Sequence, residues 1–109
     1  MSLVREVSDS NFVAEVLESA LPVLVDFWAT WCGPCRAVAA VVEQLADEFR
    51  GALKVCKLDV DESHATAREC GVISLPTLIV FRNGEPVQRL VGSVPRIAEL
   101  RARVNGVLS

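Results

Sequence analysis

The sequence predicts an α/β domain in which a mixed sheet of five strands is covered by helices on both faces, in the order βαβαβαββα. Short runs rich in β-branched and aromatic residues, typical of buried strands, alternate with segments whose apolar residues recur at helical spacing. Helices between the early strands imply parallel crossovers, whereas Asn83-Gly84 between the last two strands indicates an antiparallel hairpin. At 109 residues the chain has the length of one domain, spanning residues 1–109.

The first half of the chain is predicted to form three strands and two helices. Leu3, Val4 and Val7 indicate a short edge strand, and Ser8 or Asp9 is placed to cap the helix that follows it. The second helix has apolar residues at intervals of three and one, which puts them on one helical face. The expected ranges are a helix from about Ser10 to Ser19, a strand over Val23–Trp28, a helix over Pro34–Phe49 and a strand over Leu53–Leu58.

The second half is predicted to form a short helix, two strands and a final helix. Gly71 is suited to end the short helix, because glycine readily adopts the left-handed conformation found after helix C-termini. The last helix carries apolar residues at Ile97, Leu100, Val104 and Leu108. The expected ranges are a helix from about Glu62 to Cys70, strands over Pro76–Phe81 and Val87–Val91, and a helix opened by Pro95.

Composition and charge narrow the classes of function. The net charge of −3 and a sequence pI near 5.1 favour neither nucleic acid nor an anionic membrane as a partner. No apolar run reaches the roughly 18 residues of a membrane helix, and the first nine residues do not resemble a signal peptide. We therefore expect a cytoplasmic protein, in which disulfides are rare and usually catalytic.

Two cysteines stand where the second strand gives way to the second helix. Cys32 and Cys35 are separated by Gly33 and Pro34, and proline suits the first helical turn because its missing N–H would have no partner there. The unpaired N–H groups and the dipole of a helix N-terminus stabilise a thiolate. Cys32 is therefore the predicted nucleophile and Cys35, one turn further on, the resolving thiol.

The string Trp-Cys-Gly-Pro-Cys after Val-Asp-Phe-Trp resembles the thioredoxin family, and the resemblance runs over nearly the whole chain. The matching positions are Asp26, Trp28, Trp31, Cys32, Gly33, Pro34, Cys35, Lys57, Pro76, Gly84 and Gly92. The sequence departs from the family pattern at Ala40, Ser74, Ser93 and Cys70. The resemblance implies the three-layer thioredoxin fold.

The resemblance also implies the activity, a protein-disulfide reductase that exchanges its dithiol with disulfides in client proteins. Gly33 and Pro34 carry no cation that would stabilise the Cys32 thiolate and make the pair a stronger oxidant. The oxidised pair would be reduced by a thioredoxin reductase, and the NADPH and FAD belong to that enzyme. We expect no bound cofactor, no nucleic-acid or membrane partner, and a monomer.

The resemblance assigns a proton-transfer role to Asp26, an acidic residue in an otherwise apolar strand. Burial of a carboxyl disfavours its ionised form and raises its pKa. Family members place this residue beneath the cysteines, where it exchanges a proton with the second one. Lys57 interrupts the third strand and is the expected partner of Asp26, although a lysine stem is long enough to reach solvent instead.

The resemblance implies a cis Leu75–Pro76 peptide bond against the cysteine pair. Residue 75 would then offer its backbone to an extended client segment, as the edge of a sheet does. An apolar docking rim would surround it. Its expected members are Trp31, Gly33, Pro34, Leu75, Pro76, Val91 and Gly92.

The two remaining cysteines and two aspartates are not expected to take part in the chemistry, and other functions remain as alternatives. Cys56 is expected to be buried and inert. Cys70, at the end of a helix, is expected to be exposed, and a regulatory thiol is the less favoured alternative there because a helix C-terminus does not stabilise a thiolate. Their spacing does not favour zinc, and Asp59 and Asp61 fit a loop better than a metal site. The alternatives are an oxidase or isomerase and, from another class, a non-catalytic binding subunit that uses the apolar rim.

Overall fold

The computed structural model describes residues 2–109 and contains the predicted succession of nine elements. The five strands are β1 (Arg5–Val7), β2 (Val23–Trp28), β3 (Lys54–Asp59), β4 (Thr77–Arg82) and β5 (Glu85–Val91). The four helices are α1 (Val13–Leu17), which has the wide π geometry, α2 (Pro34–Glu48), α3 (His64–Glu69) and α4 (Ile97–Leu108). The predicted order βαβαβαββα is confirmed.

The strands form one mixed sheet in the spatial order β1-β3-β2-β4-β5. β3 pairs in parallel with both β1 and β2, because helices carry the chain back between these strands. β4 runs antiparallel to β2 and to β5, and Asn83 and Gly84 at φ 54° and 78° form the tight turn between β4 and β5. β2 therefore lies in the middle of the sheet, which explains why five of its six residues are buried.

The two faces of the sheet carry separate hydrophobic clusters. Side chains alternate along a strand, so Val23, Val25 and Phe27 of β2 pack on one face while Leu24 packs on the other. Leu24 lies in the cluster built by α2 and α4, and the opposite cluster contains residues of α1 and α3. Asp26 lies two residues after Leu24, and this alternation directs its side chain to the face that α2 covers.

The first helix is the clearest departure from the predicted elements. It covers Val13–Leu17 rather than Ser10 to Ser19, and neither Ser8 nor Asp9 caps it with a side chain. The Asp9 carboxylate instead accepts the backbone N–H of Thr66 at 2.9 Å, and the Ser63 hydroxyl accepts the N–H of Asp9. Asp9 thus caps the start of α3, which is a contact between distant parts of the sequence.

Candidate active site

The end of β2 and the start of α2 place the two cysteines side by side. β2 ends at Trp28, α2 begins at Pro34, and Gly33 occupies the N-cap position between them. Cys32 and Cys35 form a disulfide with a Cα–Cα distance of 5.4 Å, and the N–H of Cys35 donates to the carbonyl of Cys32. The strand-to-helix junction inferred from the sequence is therefore present, with Cys35 inside the first turn of α2 and Cys32 just before it.

The disulfide packs against apolar residues on one side and borders exposed residues on the other. Cys32 and Cys35 are only 6% and 4% exposed, and they pack with Ala29 and Leu75. Trp31, by contrast, is 69% exposed, and Gly33 and Pro34 are also exposed. The disulfide is therefore itself buried but lies beside an exposed segment of the chain.

Asp26 is buried beneath the cysteines, which excludes a solvated carboxylate at the end of a strand. Its residue is 2% exposed, and its Oδ1 has no hydrogen-bond partner among the described residues. Burial raises the pKa of Asp26 to about 7, and the positive charge of Lys57 opposes that shift. A cavity of about 310 Å³ is lined by Asp26 together with Cys32, Cys35 and Lys57, so the carboxyl and the two cysteines border the same space.

Lys57 lies directly opposite Asp26 in the β2–β3 ladder, but the expected ion pair between the two is not formed. Among the described residues, the ion partner of its ammonium is Glu6, with 3.6 Å between Nζ and Oε1. The same Nζ lies 5.8 Å from the centre of the Trp28 ring. The Lys57 side chain is 38% exposed and therefore reaches solvent, which was the alternative to pairing with Asp26. Its stem is long enough to carry the charge out of the core.

Asp59 at the end of β3 and Asp61 in the loop that follows hold the exposed Trp31 in place. The indole N–H of Trp31 donates to Oδ2 of Asp61 at 2.8 Å, and Oδ1 of Asp59 accepts the N–H of Asp61. No sequence pattern indicated this contact, because Trp31 and Asp61 are thirty positions apart. Within residues 2–109, no group of three or more His, Cys, Asp or Glu side chains is arranged to hold a metal.

The segment from Leu75 to Pro76 meets the disulfide from the other side. The Leu75–Pro76 bond is cis, as predicted, and Leu75 packs against the cluster that contains both cysteines. The carbonyl of Pro76 accepts the N–H of Gly92 at 2.9 Å, which joins this segment to the end of β5. Val91 is 49% exposed, and so it belongs to the surface rather than to the core. The structure thus brings the predicted docking rim to one end of the sheet, with Pro76 itself buried.

Ile73 is an exposed apolar residue that is not among the predicted members of the docking rim. It is 96% exposed, more than any other large apolar side chain recorded for the described residues. It lies two residues before Leu75, in the loop between α3 and β4. The segment between Gly71 and Pro76 contains three apolar residues, Val72, Ile73 and Leu75, outside any periodic pattern, and this short run is the signal that could have drawn attention to Ile73.

Comparison with known proteins agrees with this geometry. The thioredoxin family model matches residues 3–105. The chain is 54% identical to a thioredoxin of Mycobacterium tuberculosis over 96 residues, which is 88% of this chain and 83% of the relative. It is 51% identical to a thioredoxin of Synechocystis over 96 residues, with 88% and 90% of the two chains covered.

The chain belongs to the thioredoxin family. It is a thiol–disulfide oxidoreductase with protein-disulfide reductase activity, and its Cys32–Cys35 pair is the redox-active centre. It is also 56% identical to a bifunctional thioredoxin reductase/thioredoxin of Mycobacterium leprae over 96 residues, or 88% of this chain and 21% of that protein. The chain therefore spans about a fifth of the length of that fused relative.

The remaining thiols of this thioredoxin-family chain lie outside its redox centre. Cys56 is fully buried in β3, and burial raises the pKa of its thiol to about 11, so it is not ionised at neutral pH. Cys70 is half-buried, and burial raises the pKa of its thiol too, with the positive charge of Arg89 opposing the shift. Neither thiol is activated as a nucleophile.

None of the helices in residues 2–109 combines the length and the apolar character needed to cross a bilayer.

Proposed function

We propose that Cys32 opens disulfides in client proteins, that Cys35 resolves the mixed disulfide, and that Asp26 accepts the proton of Cys35. The observation that carries this assignment is the cavity shared by the disulfide and the buried carboxyl. Titratable groups with perturbed pKa values beside a reactive pair are typical of catalytic sites.

The first step is the attack of the Cys32 thiolate on one sulfur of a client disulfide. A bond forms between Cys32 Sγ and that sulfur, the client S–S bond breaks, and the second client sulfur leaves as a thiolate. Cys32 is the better placed nucleophile, because it precedes the N-cap of α2 and borders the exposed Trp31, Gly33 and Pro34. The positive end of the α2 dipole favours its ionised form.

The second step releases the reduced client. Cys35 transfers its proton to the Asp26 carboxylate and attacks Cys32 Sγ, and the client sulfur leaves as a thiolate as the Cys32–Cys35 disulfide forms. With a pKa of about 7, Asp26 is about half ionised at neutral pH, so it can both accept and return a proton. A carboxyl with an ordinary pKa would be a weaker base for a thiol.

Clients would dock as extended segments across the rim. Leu75 lies beside the disulfide at the end of the β4–β5 ladder, where a client backbone can pair as an added strand. Trp31 and Val91 supply exposed apolar contacts, and Ile73 extends this surface beyond the expected residues. Most of the rate gain would come from holding the client sulfur in line with Cys32.

Reduction of the oxidised pair would come from a thioredoxin reductase whose NADPH and FAD supply the electrons. The bifunctional relative of Mycobacterium leprae joins the two activities in one protein, and this supports such a partnership. We further propose that the chain acts as a cytoplasmic monomer without a cofactor of its own, and its net charge of −3 does not favour nucleic acid or anionic membranes.

An insulin-reduction assay coupled to NADPH and a thioredoxin reductase tests the whole cycle. We expect NADPH oxidation that depends on the chain, on the reductase and on a disulfide substrate. The variant in which both cysteines are replaced by serine should lose this activity completely. If that variant still performed the chain's cellular role, the rim would be acting as a non-catalytic binding surface and the proposal would fail.

A redox titration against glutathione separates a reductase from an oxidase or isomerase. A reductase requires a couple more reducing than the glutathione pool, and the absence of a cation between Cys32 and Cys35 favours that outcome. A potential above that of glutathione would overturn the proposed direction.

A further inference from the structure

Three ionisable residues form one row across three neighbouring strands. Glu6 of β1 is directly opposite Lys57 of β3, and Lys57 is directly opposite Asp26 of β2. Residues that face each other in a ladder point to the same side of the sheet. The side chains of Glu6 and Lys57 are 74% and 38% exposed and Asp26 is 2% exposed, so the row runs from solvent into the active site.

The position of the Lys57 ammonium is set at the outer end of this row. Its Nζ lies 3.6 Å from Oε1 of Glu6 and 5.8 Å from the centre of the Trp28 ring. No hydrogen bond or ion pair recorded for the described residues holds it to Asp26, whose Oδ1 stays without a partner. Within residues 2–109, the one ion pair of Lys57 is therefore with Glu6, and it draws the ammonium away from the Asp26 carboxyl that Lys57 faces.

We propose that Glu6 is a positioning residue for the resolving step: by pairing with Lys57 it holds the ammonium on the solvent side of Trp28 and limits its effect on Asp26. This inference rests on the proposed role of Asp26 as the proton acceptor of Cys35. Glu6 touches neither a cysteine nor a client in this arrangement, so it acts only through Lys57.

Other charged groups near the row do not replace Glu6. Arg36 of α2 lines the cavity that contains Asp26, and the residue opposite Asp26 on β4 is the uncharged Leu78. A second cleft, of about 500 Å³, is also lined by Trp28 and Lys57, and its lining includes Asp59 and Glu62. Neither of these carboxyls forms an ion pair with Lys57, whereas Glu6 does.

The sign of the effect follows from the charges. Replacing Glu6 by Gln removes the contact that holds Lys57 outward and removes the negative charge that partly cancels the ammonium. Both changes strengthen the positive potential at Asp26, and a nearby positive charge lowers the pKa of a carboxyl. We expect the midpoint of Asp26 to move down by on the order of a few tenths of a pH unit, because the Glu6–Lys57 pair is exposed and partly screened by water.

A titration of Asp26 by carboxyl-carbon NMR in the full oxidised chain is the direct test. We expect a lower midpoint in Glu6→Gln and an unchanged midpoint in the matched control Asp47→Asn. Asp47 is 69% exposed and also lies 3.6 Å from its ion partner, Arg50, so this control removes the same charge from an equivalent surface pair. Equal midpoints in the two variants would overturn the proposal.

The Lys57→Met background shows whether Glu6 acts through Lys57. Adding Glu6→Gln to Lys57→Met should move the Asp26 midpoint much less than Glu6→Gln moves it in the parent. A shift of the same size in both backgrounds would overturn the positioning role, because Glu6 would then act on Asp26 directly.

Kinetics separate this inference from the proposed function. The pH midpoint of client release, measured in single-turnover reactions, should fall together with the NMR midpoint in Glu6→Gln while Asp47→Asn keeps the parent profile. If Asp26→Asn leaves client release unchanged, the proton-transfer role fails. A shift of the NMR midpoint that was confined to Glu6→Gln would in that case still establish the Glu6–Lys57–Asp26 coupling.

Discussion

Replacing Asp26 by Asn should stabilise the fold at alkaline pH and change it little near pH 4. The folded-state pKa of Asp26 is about 7, against an ordinary value of 3.8, because burial disfavours the charged form. A carboxyl with a raised pKa contributes its full share of stability below the unfolded value and loses it as the pH rises to the folded value. Asn has nearly the same shape and no charge, so the variant does not lose stability in this way as the pH rises.

The size of the effect follows from the two pKa values. A difference of about 3 pH units corresponds to about 4 kcal/mol, reached above about pH 7. Between about pH 4 and pH 7, the free energy of unfolding of the parent should fall relative to that of the variant by about 1.4 kcal/mol per pH unit. The low exposure of Asp26, at 2%, means that water does not screen this cost.

Urea unfolding of the oxidised proteins at pH 4, 6 and 8 measures the difference. The advantage of Asp26→Asn should be below about 1 kcal/mol at pH 4 and about 4 kcal/mol at pH 8. In a Lys57→Met background the advantage at pH 8 should increase, because the charge that opposes the raised pKa is gone. An advantage that is the same at pH 4 and pH 8 would refute the burial argument.

Four further outcomes are expected. Cys35→Ser should trap mixed disulfides with client proteins on non-reducing gels and Cys32→Ser should trap none, so equal trapping would contradict the order of attack. Ile73→Ser should raise the KM for protein clients several-fold without moving the redox potential. A side chain that is 96% exposed makes few contacts within the protein, so its replacement should affect only the binding of a client. An unchanged KM would show that Ile73 is not part of the docking surface. Gly84→Ala should cost about 1–2 kcal/mol in calorimetry, because φ is +78° and the new Cβ would lie 3.0 Å from a backbone oxygen of α1. Gly106→Ala in α4, where nothing lies within 4 Å of the new Cβ, should instead stabilise by up to about 1 kcal/mol.

The local elements of the fold were accessible from the sequence because they depend on near neighbours. β2 has the predicted bounds Val23–Trp28, since a central strand is apolar on both faces and stands out from its surroundings. The start of α2 at Pro34 and the hairpin at Asn83 and Gly84 were also predictable. Proline and glycine restrict the backbone where they stand, whatever the rest of the chain does.

The residues that form the redox centre could likewise be predicted from the sequence. Cys32 and Cys35 are three residues apart, so one helical turn brings them together without help from distant segments. The burial of Asp26 followed from the apolar residues on both sides of it. The reductase activity itself was implied by the resemblance of the Trp-Cys-Gly-Pro-Cys string and its surroundings to the thioredoxin family.

Only the tertiary structure decided which distant side chains meet. Asp9 caps α3 rather than α1, and Trp31 is held by Asp61, across gaps of 57 and 30 positions. Lys57 pairs with Glu6 rather than with Asp26, and that choice exists because β3 lies between β1 and β2. Periodicity tells which face of a strand a residue occupies but not which strand becomes its neighbour, because strand order is fixed by the packing of the whole sheet. The charges around Asp26 therefore depend on how the chain crosses over itself, which no pattern of adjacent residues records.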